Sequence, residues 1–359
     1  MESAIKSNPS SLDEWVAAYF GNTAVQFEAI MGDASFKAFY RLTHEHKNYM
    51  LMAAPPSKEK VVEFFEIDKL LIQRGVNAPK ILAVDLTQGY FLMEDFGDTL
   101  YYSVLSQNNM DALYRKALAT LLNLQSGEMP KLPNFDEVAI QTEFKFFTEW
   151  CFKLLNLRPN AQEEALLAKT LAQFNQVFLE QPQVLVHRDY HARNLFVLED
   201  KFITPGVIDF QDAVIGPITY DLASLLKDCY LTWPQEKLKP LLEDFYLALR
   251  AEKKGMLSSF EQFYRWVDWT GLQRHIKVLG IFSRLYLRDN KTRYLYDMPR
   301  VLAYVLAVTQ NYPALSAFHE FMKKRVLPAF SVYWESQHIS ILATPKDTGH
   351  YHSLLVQVA

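Results

Sequence analysis

The sequence predicts an α+β protein built as two lobes, a small antiparallel β lobe carrying one helix and a larger, mainly helical lobe. Three observations predict it. Short strand-like runs bounded by turn residues fill the first 95 residues and are interrupted once by a helical pattern. After Phe96-Gly97-Asp98 the apolar spacing becomes helical for most of the chain. Between the helical stretches, two apolar runs, Val184-Leu185-Val186 and Gly206-Val207-Ile208, each lead into a loop rich in acids and amides. The lobes so read are 1–95 and 96–359, and 359 residues suffice for two cores.

The elements follow in order. Ser11-Leu12-Asp13-Glu14 has the spacing of a capping box that opens a short helix, and Gly21 closes it. Residues 25–29 alternate as a strand does. Strands at 39–42 and 49–52 follow, with turn residues 45–48 between them. Ser57 is placed to cap a helix that runs to Arg74, presents Val61, Val62, Phe65 and Leu70 for packing, and ends at Gly75. Strands at 81–85 and 90–94 complete the small sheet. Helices are expected near 110–126, 140–156, 162–180, 219–230, 235–252, 260–288, 299–309 and 315–335, with the loop-bearing strands at about 184–212. The tail beyond Ile341 has mixed polarity and no assigned element.

Half the residues are apolar and 14% are aromatic, which excludes a disordered chain. A net charge of −4 gives no electrostatic case for nucleic-acid binding. Cys151 and Cys229 form no metal-spaced motif and read as free thiols in a reducing cytoplasm. The first eleven residues are polar, without the apolar core of a secretory signal. No apolar run reaches the roughly 20 residues of a membrane span. Nothing in the sequence points to a protein partner.

The most informative stretch is His187-Arg188-Asp189-Tyr190-His191-Ala192-Arg193-Asn194, of the form H-R-D-x-x-x-x-N, followed by Ile208-Asp209-Phe210. This is the arrangement phosphoryl transfer from a nucleotide needs. Asp189 accepts the proton of an attacking hydroxyl. Asn194 and Asp209 supply the hard oxygen ligands that Mg²⁺ takes alongside phosphate and water. The alternative reading makes Asp189 a buried acid satisfied by turn amides and Asn194 a turn cap.

With its β-rich lobe, connector and helical lobe, the chain resembles the protein-kinase-like fold, and more closely the aminoglycoside phosphotransferase family of small-molecule kinases. The resemblance rests on Val186-His187-Arg188-Asp189, Asn194-Leu195, Val207-Ile208-Asp209-Phe210-Gln211-Asp212, Gly216-Pro217 and Tyr220-Asp221-Leu222-Ala223, and spans roughly residues 20–310. Within that family it is most similar to the anomeric kinases for N-acetylmuramate and N-acetylglucosamine of bacterial cell-wall recycling. The segments behind this are Asp33-Ala34-Ser35-Phe36, Met52-Ala53-Ala54-Pro55-Pro56, Leu92-Met93-Glu94-Asp95-Phe96-Gly97-Asp98, the run 272–280 and Arg288-Asp289. The resemblance implies ATP and Mg²⁺ as cofactors, a sugar as small-molecule acceptor and a cytoplasmic location. It also implies that Asp221 braces the catalytic loop.

Only eleven residues separate Asp209 from Asp221, which leaves no room for a long activation loop and argues against a protein kinase. Two features depart from the kinase pattern. The strand 49–52 carries no Lys, and Met52 falls in its slot, so Lys37, Arg41 or the metal must meet the phosphates. No G-x-G-x-x-G is present. Asp33, Ala34 and Ser35 sit in the one small-residue turn available for phosphate, which also reads as an ordinary hairpin turn. Glu94 and Phe96 mark the hinge whose backbone can pair with adenine. On the acceptor side, His191, Gln211, Arg274, His275 and Lys277 are candidates. Arg274 and Lys277 share a helix face, so Arg274 can meet an anionic substituent if that face looks into the cleft. His187 reads as support for the loop. The rival readings are a kinase of the same fold for an aminoglycoside, choline or related alcohol, and a catalytically silent nucleotide-binding module.

Overall fold

The computed structural model describes residues 11–21, 25–30, 36–198, 204–252 and 257–337. Backbone proximity divides them into two units. The first comprises the described residues up to Gln107 together with a returning segment within Arg193–Ala213. The second comprises Asn108–Ala192 and the described residues from Val214 onward.

The first unit is built on a five-stranded antiparallel sheet. In chain order its strands are β1 (Phe27–Ile30), β2 (Ala38–His44), β3 (Lys47–Ala53), β4 (Ile81–Asp85) and β5 (Tyr90–Glu94), and in space they run β1-β2-β3-β5-β4. Glu45 and His46 close the β2–β3 hairpin with φ of 49° and 63°. Two left-handed residues in a row give the turn whose twist matches that of the paired strands. Helix α1 (Leu12–Tyr19) is capped by the Ser11 hydroxyl, which accepts from the Glu14 amide at 3.3 Å. It buries Trp15 and Val16 against Leu42, Leu51 and Leu92. Helix α2 (Val61–Gln73) starts at Lys60, not at Ser57. Pro55 accepts from the amides of Lys58 and Glu59, and this turn occupies the residues a Ser57 cap would need. Gly75, with φ of 71°, ends the helix as expected: Val76 and Gly75 donate back to Leu71 and Ile72.

The returning segment belongs to this unit by hydrogen bonding. Leu195–Phe196 pairs antiparallel with Gly206–Val207. Val197 donates to the Thr99 carbonyl and Val207 to that of Asn77, each at 2.8 Å. Asn77 Nδ2 reaches Thr204 Oγ1 at 2.9 Å.

The second unit is mainly helical. Its elements are α3 (Met110–Gln125), α4 (Glu137–Phe146), α5 (Ala161–Leu179), β6 (Gln183–Val186), β7 (Val214–Pro217), α6 (Tyr220–Leu226), α7 (Gln235–Glu252), α8 (Phe260–Asp289), α9 (Met298–Thr309), α10 (Ser316–Phe321) and α11 (Leu327–Ser336). Asn160 and Glu163 form a reciprocal capping box at the start of α5. Strands β6 and β7 pair antiparallel, Val184 opposite Gly216. Helix α8 is the spine. Residues from Phe263 to Leu285 are buried along it, including the polar side chains of Asp268, Gln273, Arg274, His275, Lys277 and Ser283. A buried polar group must be paired, so these residues determine what packs around the helix. Straight after α4 the chain widens into one π turn, Phe147–Cys151, beside Gly280 of α8. No helix among the described residues is long and apolar enough to cross a membrane.

Candidate active site

In the second unit, β6 ends in the loop that begins His187-Arg188-Asp189. Arg188 holds φ of 78°, a left-handed conformation uncommon for a side chain of this size. The surroundings impose it. The buried Asp221 carboxylate, in the first turn of α6, accepts from the His187 amide at 2.7 Å and the Arg188 amide at 3.0 Å. Arg274 donates to the Arg188 carbonyl at 2.6 Å and to Ser224 Oγ at 2.6 Å. Tyr190 Oη donates to the Ala117 carbonyl at 2.8 Å, and the Ala192 amide donates to Asp228 Oδ2 at 3.0 Å. His187 is buried, and its Nδ1 accepts from the Asp189 amide at 3.2 Å. The ring of His191 meets that of Tyr230 edge-on at 5.4 Å.

Burial by itself would raise the Asp189 carboxyl. The positive charges of Lys277, His191, Arg274 and Arg188 outweigh it and hold the group well below the usual carboxylate range. The surroundings of Asp189 therefore favour its anionic form.

The other two residues of the motif lie in the first unit. The Ile208 amide donates to the Asn194 carbonyl at 3.2 Å, so the strand leading to Asp209 is tied to Asn194 directly. Asn194 Nδ2 and Asp209 Oδ2 are 3.4 Å apart, and Gln211 Nε2 donates to Asp209 Oδ1 at 2.9 Å. Asp209, like Arg188, is left-handed, with φ of 67°. Phe210, next to it, is buried and stacks on Phe64 of α2 at 4.9 Å. Asn194 and Asp209 line a cavity of about 530 Å³ that lies wholly within the first unit. One part of its wall is apolar, formed by Phe39, Met50, Met93, Phe196 and Ile208; another is polar, formed by Lys37, Glu59, Asn194, Asp209 and Asp212. Glu94 and Phe96 line it as well.

The donor set suits Mg²⁺. Asp209 offers two carboxylate oxygens and Asn194 an amide oxygen, hard ligands that leave most of the coordination shell to phosphate and water. No cluster of three or more His, Cys, Asp or Glu groups able to hold a metal alone occurs among the described residues.

Several candidates from the sequence sit differently from their expected place. Met52 is buried, and Met50, two residues earlier on the same strand face, forms the cavity wall. Gln211 lies in the nucleotide-sized cavity beside Asp209, in the first unit, while the other acceptor candidates are in the second. Arg274 spends its donors on Arg188 and Ser224, and its guanidinium lies 4.6 Å from the Tyr220 ring centroid. His275 is buried, stacks on Tyr304 at 4.4 Å and donates from Nε2 to the Lys227 carbonyl. Burial pushes its pKa down to about 3, so it stays neutral. Lys277 is held by Glu143 at 2.7 Å. Asp33, Ala34 and Ser35 lie outside the described residues.

Three participants, Asp228, Glu143 and Lys60, had no motif to reveal them. Asp228 and Glu143 anchor the Asp189 loop. Asp95 and Asp98 take Arg41 away from the phosphate role, at 2.5 and 2.9 Å. Lys60, at the start of α2, pairs with Asp212 at 2.6 Å. Lys37 lines the cavity, 5.8 Å from the Phe64 centroid.

The chain has recognisable relatives. It is 38% identical over 296 residues to the N-acetylmuramate/N-acetylglucosamine kinase of Pseudomonas putida, covering 82% of this chain and 86% of that one. It is 33% identical over 322 residues to the protein of the same name from Neisseria meningitidis serogroup B, covering 88% and 95%. Among solved structures, the fold matches a Plasmodium vivax ethanolamine kinase with a TM-score of 0.58 at 15% identity, over 84% of this chain and 88% of that one. It also matches the ADP-bound aminoglycoside phosphotransferase APH(2'')-Ib with a TM-score of 0.52 at 16% identity, over 82% and 98%. The family described as "Phosphotransferase enzyme family" matches residues 26–256, a span that contains both β-rich and helical parts and every residue of the H-R-D-x-x-x-x-N motif. The chain belongs to the phosphotransferase enzyme family.

Proposed function

We infer that this protein is an ATP-dependent sugar kinase that phosphorylates the anomeric hydroxyl of N-acetylmuramate and N-acetylglucosamine, in the cytoplasm where ATP is available. The observation that carries the reading is the pinned loop presenting an ionised Asp189, followed on the same chain by the Asn194–Asp209 pair in a nucleotide-sized cavity. The names of the relatives at 33–38% identity support the choice of sugar. The five-residue step from Asp189 to Asn194 limits their Cα separation to about 18 Å, so base and phosphate ligands are tied by the chain itself.

In the proposed reaction the anomeric oxygen bonds to the γ-phosphorus while the bond from that phosphorus to the β–γ bridging oxygen breaks. ADP leaves with the electron pair, and the hydroxyl proton passes to Asp189. A carboxylate held so acidic is a weak base. It takes the proton late, after bonding to phosphorus has acidified the oxygen, as a loose transition state requires. Asn194 and Asp209 would hold Mg²⁺, which when bound neutralises charge on the phosphates. The apolar wall of Phe39, Met50, Met93, Phe196 and Ile208 suits a purine face. Lys37, which lines the cavity, supplies the positive charge that a strand lysine gives elsewhere. Asp221, Asp228, His187 and Arg274 hold the loop. Gln211 orients Asp209, and His191 faces the acceptor.

The test is transfer from ATP to a panel of sugars, amino alcohols and aminoglycosides, with ³¹P NMR to identify the phosphorylated position. A 1-phosphate on the two N-acetylated sugars is expected. Brisk transfer to an amino alcohol or aminoglycoside with none to either sugar would replace the acceptor assignment.

A further inference from the structure

Glu143 lies in α4, carries no recognisable motif and is among the most heavily used side chains of the second unit. It is 3% exposed. Its Oε1 takes Arg188 at 2.6 Å and Lys277 at 2.7 Å. Its Oε2 accepts from Gln273 at 3.1 Å and Tyr220 at 3.3 Å. Burial would raise its pKa; the Lys277 ammonium and the Arg188 guanidinium outweigh that and hold it below the usual range. One carboxylate thus satisfies two cations, and both of those cations also act on Asp189.

A buried cation without an anion is strongly unfavourable. If Glu143 were absent, the acids left near the loop would be Asp189, Asp221 and Asp228, and Asp228 spends both oxygens on the Ala192 and Tyr230 amides. Asp221 already spends both oxygens on the His187 and Arg188 amides. Asp189 would therefore become their partner, and an acid clamped by two cations is a poor proton acceptor. In protein kinases, phosphorylation of a mobile activation loop supplies the anion that pairs with arginine. Here only eleven residues lie between Asp209 and Asp221, and the anion comes from a separate helix.

We propose that Glu143 is a positioning residue for phosphoryl transfer, a permanent internal counter-anion that holds Arg188 and Lys277 in ion pairs of its own, so that they act on Asp189 without clamping it, and so keeps the protein active without covalent modification. The proposal rests on the kinase reading above.

The test compares wild type with Glu143→Gln, Lys277→Met and the double variant, each by kcat, by KM for Mg-ATP and by thermal unfolding. Glu143→Gln is expected to lose about ten- to a hundredfold in kcat, the scale of a small misplacement of a reacting group. Its KM for Mg-ATP should stay within about twofold, because the nucleotide cavity lies within the other unit. Lys277→Met keeps the Glu143–Arg188 pair. The double variant removes one anion and one cation together, which protects the fold. It is expected to turn over about tenfold more slowly than Lys277→Met alone. If Glu143→Gln does not fold, this last comparison decides. Equal kcat in Lys277→Met and the double variant overturns the proposal. So does a folded Glu143→Gln with wild-type kcat. A wild-type protein that phosphorylates neither sugar would instead overturn the functional reading.

Discussion

Arg188 and Asp209 both hold left-handed backbone where glycine would be at ease, at a cost of about 1–3 kcal/mol each. Strain of this kind persists only where neighbours over-determine it, and at Arg188 three groups do: the two Asp221 contacts, the Glu143 ion pair and the Arg274 bond to its carbonyl. The chemistry at this scale is testable. Asp189→Asn is expected to bind Mg-ATP normally and to lose about 10²–10⁴-fold in turnover; near-normal turnover would remove Asp189 from the reaction. Asp209→Ala is expected to abolish Mg-dependent ATP binding in calorimetry, since Asn194 alone offers only a neutral oxygen. The position of Arg274 also changes an expectation drawn from the sequence. With its donors on Arg188 and Ser224, Arg274→Ala should slow turnover of both N-acetylated sugars alike. A selective loss with N-acetylmuramate would mean that it reads the lactyl carboxylate. The motif residues were legible because spacing alone identifies them. Glu143 was not, although a signal existed: it falls on the apolar face of α4 with Ile140, Phe144 and Phe147, where an unpaired acid would not be tolerated.

At the scale of elements, periodicity gave strands β4 and β5 residue for residue, and most helices to within a few positions. It missed the start of α2, because the Pro55 turn competes for the residues that would have formed the cap. It also missed the π turn after α4, because that turn answers to α8 and not to its own sequence. A Cβ on Gly280 would stand 2.1 Å from the Phe146 carbonyl carbon, with backbone that cannot step aside. Gly280→Ala is therefore expected to cost about 1–3 kcal/mol or more, visible as a lowered Tm. In α2, Asp68 is buried and its Oδ1 has no hydrogen-bond partner among the described residues. Burial pushes its pKa up to about 7, against a smaller opposing effect of Lys69. The folded state then binds a proton that the unfolded state has released, so this contribution to stability is full below the unfolded value near 4 and is lost as pH rises towards 7. Asp68→Asn should stabilise the protein at pH 8 by about 1–3 kcal/mol and do little at pH 4. Equal effects at both pH values would show that the carboxyl does not titrate in this window.

At the scale of the molecule, the two-lobe reading places one cut near residue 95, and chain order could not show that the first unit takes back the segment within Arg193–Ala213. Those residues supply Asn194, Phe196, Ile208 and Asp209 to the cavity wall. A chain ending at Gln107 is accordingly expected to bind Mg-ATP at least about tenfold more weakly than the full protein, the loss of one or two charge-assisted contacts. Undiminished affinity would mean that the sheet alone makes the site. Val207 closes onto Asn77 across 130 positions of sequence. On the ribosome, the sheet emerges first and must wait while roughly a hundred further residues are made, about 5–20 s at ordinary elongation rates. Throughout that interval the nascent chain lacks Asn194 and Asp209, the proposed metal ligands. In the proposed kinase, competence to hold the nucleotide would arrive only after the segment from Asn194 to Asp212 has been synthesised, so the order of translation would keep a half-made protein from sequestering ATP.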